Sequence, residues 1–313
     1  MKDEDSLGLR VLLIGGLGYL GIELAFRMAQ HEKIEQLTLY DNFQRASEGV
    51  LFGLRRMEGK SIRLVKADIL DSESLQAEVD SHNVVVNLAA AVPTIRAEHS
   101  AHGFEQVNNW GAAAVARSLS VKSRKSADLT RIVHVGSMAA LPYLEGESFL
   151  FESAEEYYAL SKARGERHFK SFPENISSVI VRLPKIFGYS KNMRIDNSLN
   201  KSIFDAHYFD RIILDAEAPF QGPHLDIESA VDYLSELAFN WSYSGIYEVE
   251  SMCFKTSEVL EVLKYFFPRA NVFRIDQGLY FGAQGGREME MPAETNAAGL
   301  RVAINNFIEK FIF

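Results

Sequence analysis

Short apolar runs rich in β-branched residues alternate along this chain with stretches whose apolar positions recur every three or four residues. The runs are "RVLLIG" at 10–15, "QLTLYD" at 36–41, "IRLVKAD" at 62–68, "NVVVNLAA" at 83–90, "TRIVHVGS" at 130–137 and "SSVIVRL" at 177–183. Continuous apolar runs of that length predict strands covered on both faces, as in a parallel sheet. The segments between them, roughly 19–31, 72–80, 103–122 and 153–171, carry helical periodicity. Strand and helix in alternation predict an α/β fold with a doubly wound parallel sheet. After Gly188 the pattern loosens into polar loops and isolated short strands, although "DIESAVDYLSELAFNW" reads as an amphipathic helix and "GIYEVES" as a strand. The expected division is a first domain over 1–188, completed by segments near 223–250, and a smaller substrate-binding domain made mainly of 189–313.

The first strand runs into "GGLGYLG". Gly15, Gly18 and Gly21 fit a G-x-x-G-x-x-G dinucleotide turn of the Rossmann type. Gly15 would make the strand-to-helix turn, and Gly18 would let the backbone approach a pyrophosphate. Gly21 would let the helix, opened by Tyr19 and Leu20, pack on the sheet. The second strand ends at Asp41, followed by Asn42, at the spacing expected of an acid on the adenosine ribose. A carboxylate there accepts both ribose hydroxyls and repels a 2′-phosphate, so the expected cofactor is NAD. Arg45, close behind, keeps NADP open as the alternative.

Composition narrows the class. The 313 residues are 47% hydrophobic and 24% charged, with a formal net charge of −9, which argues against a basic nucleic-acid-binding surface. A single cysteine, Cys253, excludes an intrachain disulfide framework or a cysteine-rich zinc site, and no metal site is expected. The start, "MKDEDSLGLR", has no apolar core of a signal peptide, and no run is long enough to span a membrane. The end, "RVAINNFIEKFIF", reads as a docked amphipathic helix. A soluble cytoplasmic protein is expected, without nucleic-acid or membrane partners.

The segment "EEYYALSKARGE" from Glu155 to Glu166 is composed of good helix formers. Residues four apart share a helix face, so Tyr158 lies beside Lys162 while Tyr157 lies beside Ser161. A neighbouring ammonium favours the phenolate and would lower the pKa of Tyr158.

These pieces together resemble the extended short-chain dehydrogenase/reductase family, in particular its nucleotide-sugar epimerase/dehydratase branch. "DNF" is similar to its ribose-binding turn, and "ADILD" to its adenine-side motif, which implies Asp68 and Ile69 against adenine. "NLAAA" implies Ala89 and Ala90 at the cofactor, with Ala91 toward the substrate; "VNNWG" implies Asn108 in the Asn-x-x-Gly helix segment. "HVGSMA" supplies Ser137, followed by Met138 on the substrate side, and "YYALSKARGE" supplies Tyr158 and Lys162. "RLPKIFG" is similar to the loop that places Pro184 and Ile186 near nicotinamide and Lys185 near substrate. The resemblance implies that Tyr158 is the acid/base, that Ser137 hydrogen-bonds the reacting oxygen and that Lys162 holds the nicotinamide ribose. It also implies a homodimer paired through the helices near 103–122 and 153–171.

Two departures bear on chemistry. Met138 and Ala139 stand where dehydratases of this branch carry an Asp-Glu pair, which argues against elimination, and where the bifunctional epimerase-reductases place a cysteine. Gly222 falls where an arginine often grips a diphosphate; Lys185, Lys191, Arg194, Lys201 or Arg211 would have to replace it. The expected function is an NAD-dependent epimerase or ketoreductase working by hydride transfer at one secondary carbinol of a nucleotide sugar. The alternatives are a ketoreductase or dehydrogenase of a non-nucleotide alcohol, such as a natural-product or steroid-like intermediate, and a non-enzymatic NAD-binding regulator.

Overall fold

A computed structural model describes residues 8–45, 50, 61–93, 101–144, 153–215, 220, 222–275 and 297–310. Six apolar runs form the strands β1 (Leu9–Ile14), β2 (Ile34–Asp41), β3 (Ser61–Lys66), β4 (Val84–Asn87), β5 (Thr130–Ser137) and β6 (Ile176–Leu183). They pair in parallel, joined by β10 (Gly245–Glu248) from the far end of the chain, in the order β10-β6-β5-β4-β1-β2-β3. β1 therefore has β2 on one side and β4 on the other, and the winding reverses there. The crevice beyond the carboxyl ends of β1 and β4 is where an open α/β sheet accepts a ligand.

Both faces of the sheet are covered, which is why the strands read as continuous apolar runs rather than alternating ones. One face packs Val11, Leu13, Val86 and Val133 against Ile22 and Leu24 of the helix Tyr19–Ala29 and Leu234 of the helix Ile227–Phe239. The other packs Leu12, Val85 and Ile132 against Leu75 of the helix Ser72–Ser81 and Val115 of the helix Ala112–Lys125.

A separate apolar core gathers Phe187, Leu199, Ile203, Phe254, Val262 and Ile304. It joins the helices Ser198–Phe209, Thr256–Phe266 and Ala297–Glu309, the last of which buries Leu300, Ile304 and Phe307. Two small sheets accompany it. One has β7 (Lys185–Phe187) and β11 (Met252–Cys253) on either side of β9 (Pro223–Asp226), and the other pairs β8 (Arg211–Asp215) with β12 (Asn271–Ile275). Of the segments near 223–250, β10 pairs into the large sheet and the helix Ile227–Phe239 packs on it, while β9 pairs with β7 and β11 and buries Leu225 in the same core.

The stretch expected as one helix over 103–122 contains a π-helical section, Glu105–Gly111, before Ala112–Lys125. The helix Ala154–Arg167 starts on a capping box in which Ser153 Oγ accepts from Glu156 N (3.2 Å) and the Glu156 carboxylate accepts from Ser153 N (3.0 Å). Among the described residues no helix is long and apolar enough to cross a membrane.

Candidate active site

The turn after β1 is built so that only glycine fits its two tightest positions. Gly15 has φ +78°, and a Cβ there would lie 2.7 Å from Ala89 N. A Cβ on Gly21 would lie 2.3 Å from Gly15 O, so this glycine sets how closely the Tyr19–Ala29 helix meets the turn. That helix has no side-chain cap and no acidic side chain in its first turn. Its partial positive charge and first N–H groups are thus left to an external anion.

Asp41 anchors this loop as well as facing the crevice. Its Oδ2 accepts from Leu17 N (3.0 Å) and its Oδ1 from Phe43 N (2.9 Å), each oxygen keeping a further lone pair. The second contact holds a turn in which Phe43 takes a left-handed φ of +64°. A cavity of about 320 Å³ runs from the glycine turn along the ends of β1, β2 and β4, lined among others by Gly15, Gly18, Asp41, Asn42, Ile69 and Ala89. Ala90, Ala91 and Arg45 line it too.

Other expected cofactor residues hold the walls. The Asp68 carboxylate accepts from Leu70 N (2.9 Å) and from Asn42 Nδ2 (3.4 Å), while its carbonyl accepts from Tyr40 Oη (2.7 Å). Asn108 is buried: its Oδ1 accepts from Ala91 N (2.9 Å), and its Nδ2 donates to Ala91 O and to Ser161 Oγ (both 2.9 Å). All its amide hydrogens are therefore spent on tying the loop after β4 to the Ala154–Arg167 helix. Gly165 rests on the same brace, since a Cβ there would lie 2.1 Å from Asn108 O.

Leu20 lies in the helix opening, its side chain packed against the core of that face of the sheet. Tyr19 turns away from the crevice. Its hydroxyl donates to Gly188 O (2.7 Å) and accepts from Asn200 Nδ2 (3.2 Å), so it joins the glycine loop to the chain beyond β7. Ser190 Oγ donates to Tyr19 O (2.7 Å), and Asn192 Nδ2 to Leu17 O (2.6 Å). Neither residue carried a sequence signal, because their partners are backbone carbonyls on the far side of the chain.

The reacting groups meet at the ends of β5 and of the neighbouring helix. Ser137, the last residue of β5, accepts from Ala139 N (3.2 Å) and lies close enough to Tyr158 to lower its phenol pKa. Phe104 meets the Tyr158 ring edge-on, with centroids 6.1 Å apart. The expected effect of Lys162 on Tyr158 does not hold in this arrangement. Burial pushes the phenol above its ordinary pKa, and the groups that pull it back are Ser137 and the charge of Arg194. Lys162 is buried one turn away and donates to Val135 O (2.6 Å); burial brings its own pKa down to about 8. Helical spacing placed the two residues on one face, but the ammonium satisfies itself on the strand below.

On the substrate side, Met138 is half-buried beside Ser137. Pro184 and Ile186 flank Lys185 at the start of β7; burial lowers the Lys185 pKa while Glu155 opposes it. Four candidate phosphate-binding cations already hold carboxylates. Lys191 pairs with Glu23 (3.6 Å), Arg194 with Asp196 (3.0 Å), and Lys201 and Arg211 both with Asp205 (2.5 and 3.4 Å). Lys201 thus points along its own helix.

The sequence model of the NAD dependent epimerase/dehydratase family matches residues 11–212, well over half of the chain. No curated protein matches it. Among solved structures, the chain is similar to the Bordetella bronchiseptica enzyme WbmG in complex with NAD and UDP (TM-score 0.71, 16% identity, covering 99% of this chain and 96% of that one). It is similar to UDP-N-acetylglucosamine 4-epimerase from Methanobrevibacter ruminantium M1 in complex with UDP-N-acetylmuramic acid (0.72, 17%, covering 97% and 99%). It is similar also to DesIV, the dTDP-glucose 4,6-dehydratase of Streptomyces venezuelae, with NAD and TYD bound (0.69, 16%, covering 96% and 97%). At these identities the likeness is one of fold.

Proposed function

Because this chain belongs to the NAD-dependent epimerase/dehydratase family, we propose that it binds NAD in the β1–β4 crevice and acts on one secondary carbinol of a nucleotide sugar, as an epimerase or ketoreductase. The observation that carries this reading is the meeting of Ser137, at the end of β5, with the buried Tyr158, whose phenol pKa Ser137 pulls down. It brings together a proton-transferring phenol and a donor for the reacting oxygen. The residues around the crevice fit the dinucleotide. The turn tolerates no Cβ at Gly15 or Gly21, the helix behind it is uncapped, and Asp41 retains acceptor capacity toward a ribose.

Bound there, NAD supplies the hydride acceptor and donor. The rest falls to the chain. Ser137 orients the substrate oxygen, and Tyr158 gives or removes its proton. With its pKa raised by burial, Tyr158 holds that proton through neutral pH and is poised as an acid; as a base it needs stabilisation of the phenolate. Arg194 and Ser137 contribute to that, and Lys162 would add to it if a cofactor drew the ammonium off Val135 O. Asn108, with both amide hydrogens engaged, positions Ala91 and the tyrosine helix.

Asp41→Ala is expected to narrow the gap between NAD and NADP affinity. Titration of both cofactors checks it, and tighter NADP binding by the unaltered protein would contradict the assignment.

The reaction type is tested with substrate deuterated at the reacting carbon. An epimerase returns the deuterium to product, whereas a dehydrogenase passes it to free nicotinamide. Solvent deuterium taken up at the neighbouring carbon would overturn the single-carbinol mechanism, since neither Met138 nor Ala139 can abstract a proton.

A second reading, a non-nucleotide alcohol as substrate, draws on the engagement of Lys191, Arg194, Lys201 and Arg211 with carboxylates and on Gly222 in the place of an arginine. Thermal stabilisation by nucleotide sugars in the presence of NAD separates the two. A homodimer through the helices near 103–122 and 153–171 remains part of the proposal; Trp110 is exposed on the π-helical section within the first of them.

A further inference from the structure

Resting on the assignment of the β1–β4 crevice to a dinucleotide, we propose that Asp196 decides which dinucleotide the chain takes, by holding Arg45 away from the adenosine 2′ position. Two side chains at that end of the crevice favour opposite cofactors. Asp41 repels a 2′-phosphate, whereas Arg45, four residues on and lining the same cavity, has the planar fork that grips one.

The fold settles the conflict with a residue distant in sequence. Arg45 Nη2 donates to Asp196 Oδ2 at 3.3 Å. Asp196 is itself clamped from the other side by Arg194, whose Nε donates to Oδ1 (3.1 Å) and Nη2 to Oδ2 (3.0 Å). Burial would raise the Asp196 carboxyl, yet the hydrogen bond and charge of Arg194, helped by Arg45, keep it below the usual carboxylate range. The carboxylate is therefore charged and mostly shielded, 19% exposed, while Arg45 is 46% exposed.

Nor does Asp196 hang on a free arm. The segment before it is fastened to the glycine loop by Ser190 on Tyr19 O, Asn192 on Leu17 O and Lys191 N on Glu23 Oε1 (2.8 Å), and Arg194 reaches across to Pro93 O (3.4 Å). Asn197 next to it caps the helix Ser198–Phe209, donating also to Ile186 O (2.9 Å). The Asp196 carboxylate is thus held over the edge of the crevice by both parts of the fold. For Arg45 to reach a 2′-phosphate it must leave this partner. With Arg45 half in solvent, a pair of this kind shifts an equilibrium by up to about fivefold.

The test is a calorimetric titration of NAD and NADP into the full-length protein freed of bound nucleotide, with Asp196→Asn, Arg45→Ala and the double variant. Asp196→Asn keeps shape and removes charge. It is expected to tighten NADP about fivefold while NAD stays within about twofold. The gain should vanish in the double variant, which assigns it to Arg45 rather than to the Arg194 released by the same change. Arg45→Ala alone should leave NADP affinity within about twofold, because Arg45 is withheld in the unaltered protein.

Three results overturn the inference: a loss of NADP affinity in Arg45→Ala alone, a gain that survives in the double variant, or an equal shift of both dinucleotides in Asp196→Asn. If the unaltered chain binds NAD and the variants leave NADP unchanged, only the role of Asp196 falls. If it binds neither dinucleotide, the reading of the crevice falls with it.

Discussion

Tyr158→Phe is expected to lower turnover about a thousandfold while leaving NAD affinity within about twofold. The change removes one hydroxyl and almost no volume, so the ring keeps its edge-on contact with Phe104 and the Ala154–Arg167 helix is undisturbed. What is lost is the proton-transferring group beside Ser137. General acid–base groups contribute about 10²–10⁴ in rate, which sets the magnitude. Tyr157→Phe, one residue earlier on another face, should retain most of the activity. Steady-state kinetics on the two variants, with NAD binding measured in parallel, decides it. Activity lost in Tyr157→Phe and kept in Tyr158→Phe would show the register to be wrong.

Glu166→Ala is expected to destabilise the protein by about 3–5 kcal/mol, the cost of leaving a buried charge without its partner. Glu166 is wholly buried and grips Arg182 in a two-pronged pair, Oε2 to Nε at 3.0 Å and Oε1 to Nη2 at 2.6 Å. This pair locks the tyrosine helix to β6 beneath the site; a Cβ on Gly136 of β5 would lie 3.5 Å from Glu166 Oε2. Arg182 also reaches Glu248 on β10 (2.7 Å), but Glu248 is largely exposed, so Glu248→Ala should cost less than about 1 kcal/mol. Urea unfolding of the two variants makes the comparison. A Glu166→Ala protein within about 1 kcal/mol of its parent would mean that Arg182 is rescued by Glu248 or by water.

Much of the frame was legible because it depends on local pattern. The strands over 130–137 and 177–183 and the tyrosine helix follow from β-branched runs and from a run of good helix formers, which act within a few residues. The glycine turn was legible for the same reason, since the left-handed φ of Gly15 and the near-contact of Gly21 with Gly15 O both arise inside one turn of chain. Less was legible where a side chain answers to a distant backbone. Asn108 carried a motif, but nothing local indicated that its amide would be spent on Ala91 and Ser161. Lys162 sat at the spacing that predicts an effect on Tyr158, yet its long stem reaches Val135 O on β5, a contact that helical spacing cannot encode.

The sequence by itself determined the alternation of strand and helix, the glycine turn with its acid at the end of β2, and the order of the motifs that supply Ser137, Tyr158 and Lys162. These are set by short-range sterics and by periodicity. Tertiary structure alone decided which charges are left to a ligand and which are used up. Arg45 pairs with Asp196 and Glu166 with Arg182 because the packing of elements separated along the chain brings those atoms within reach and shields both carboxylates from water. Such pairing energies depend on separation and burial, and neither can be read from the position of a residue along the chain.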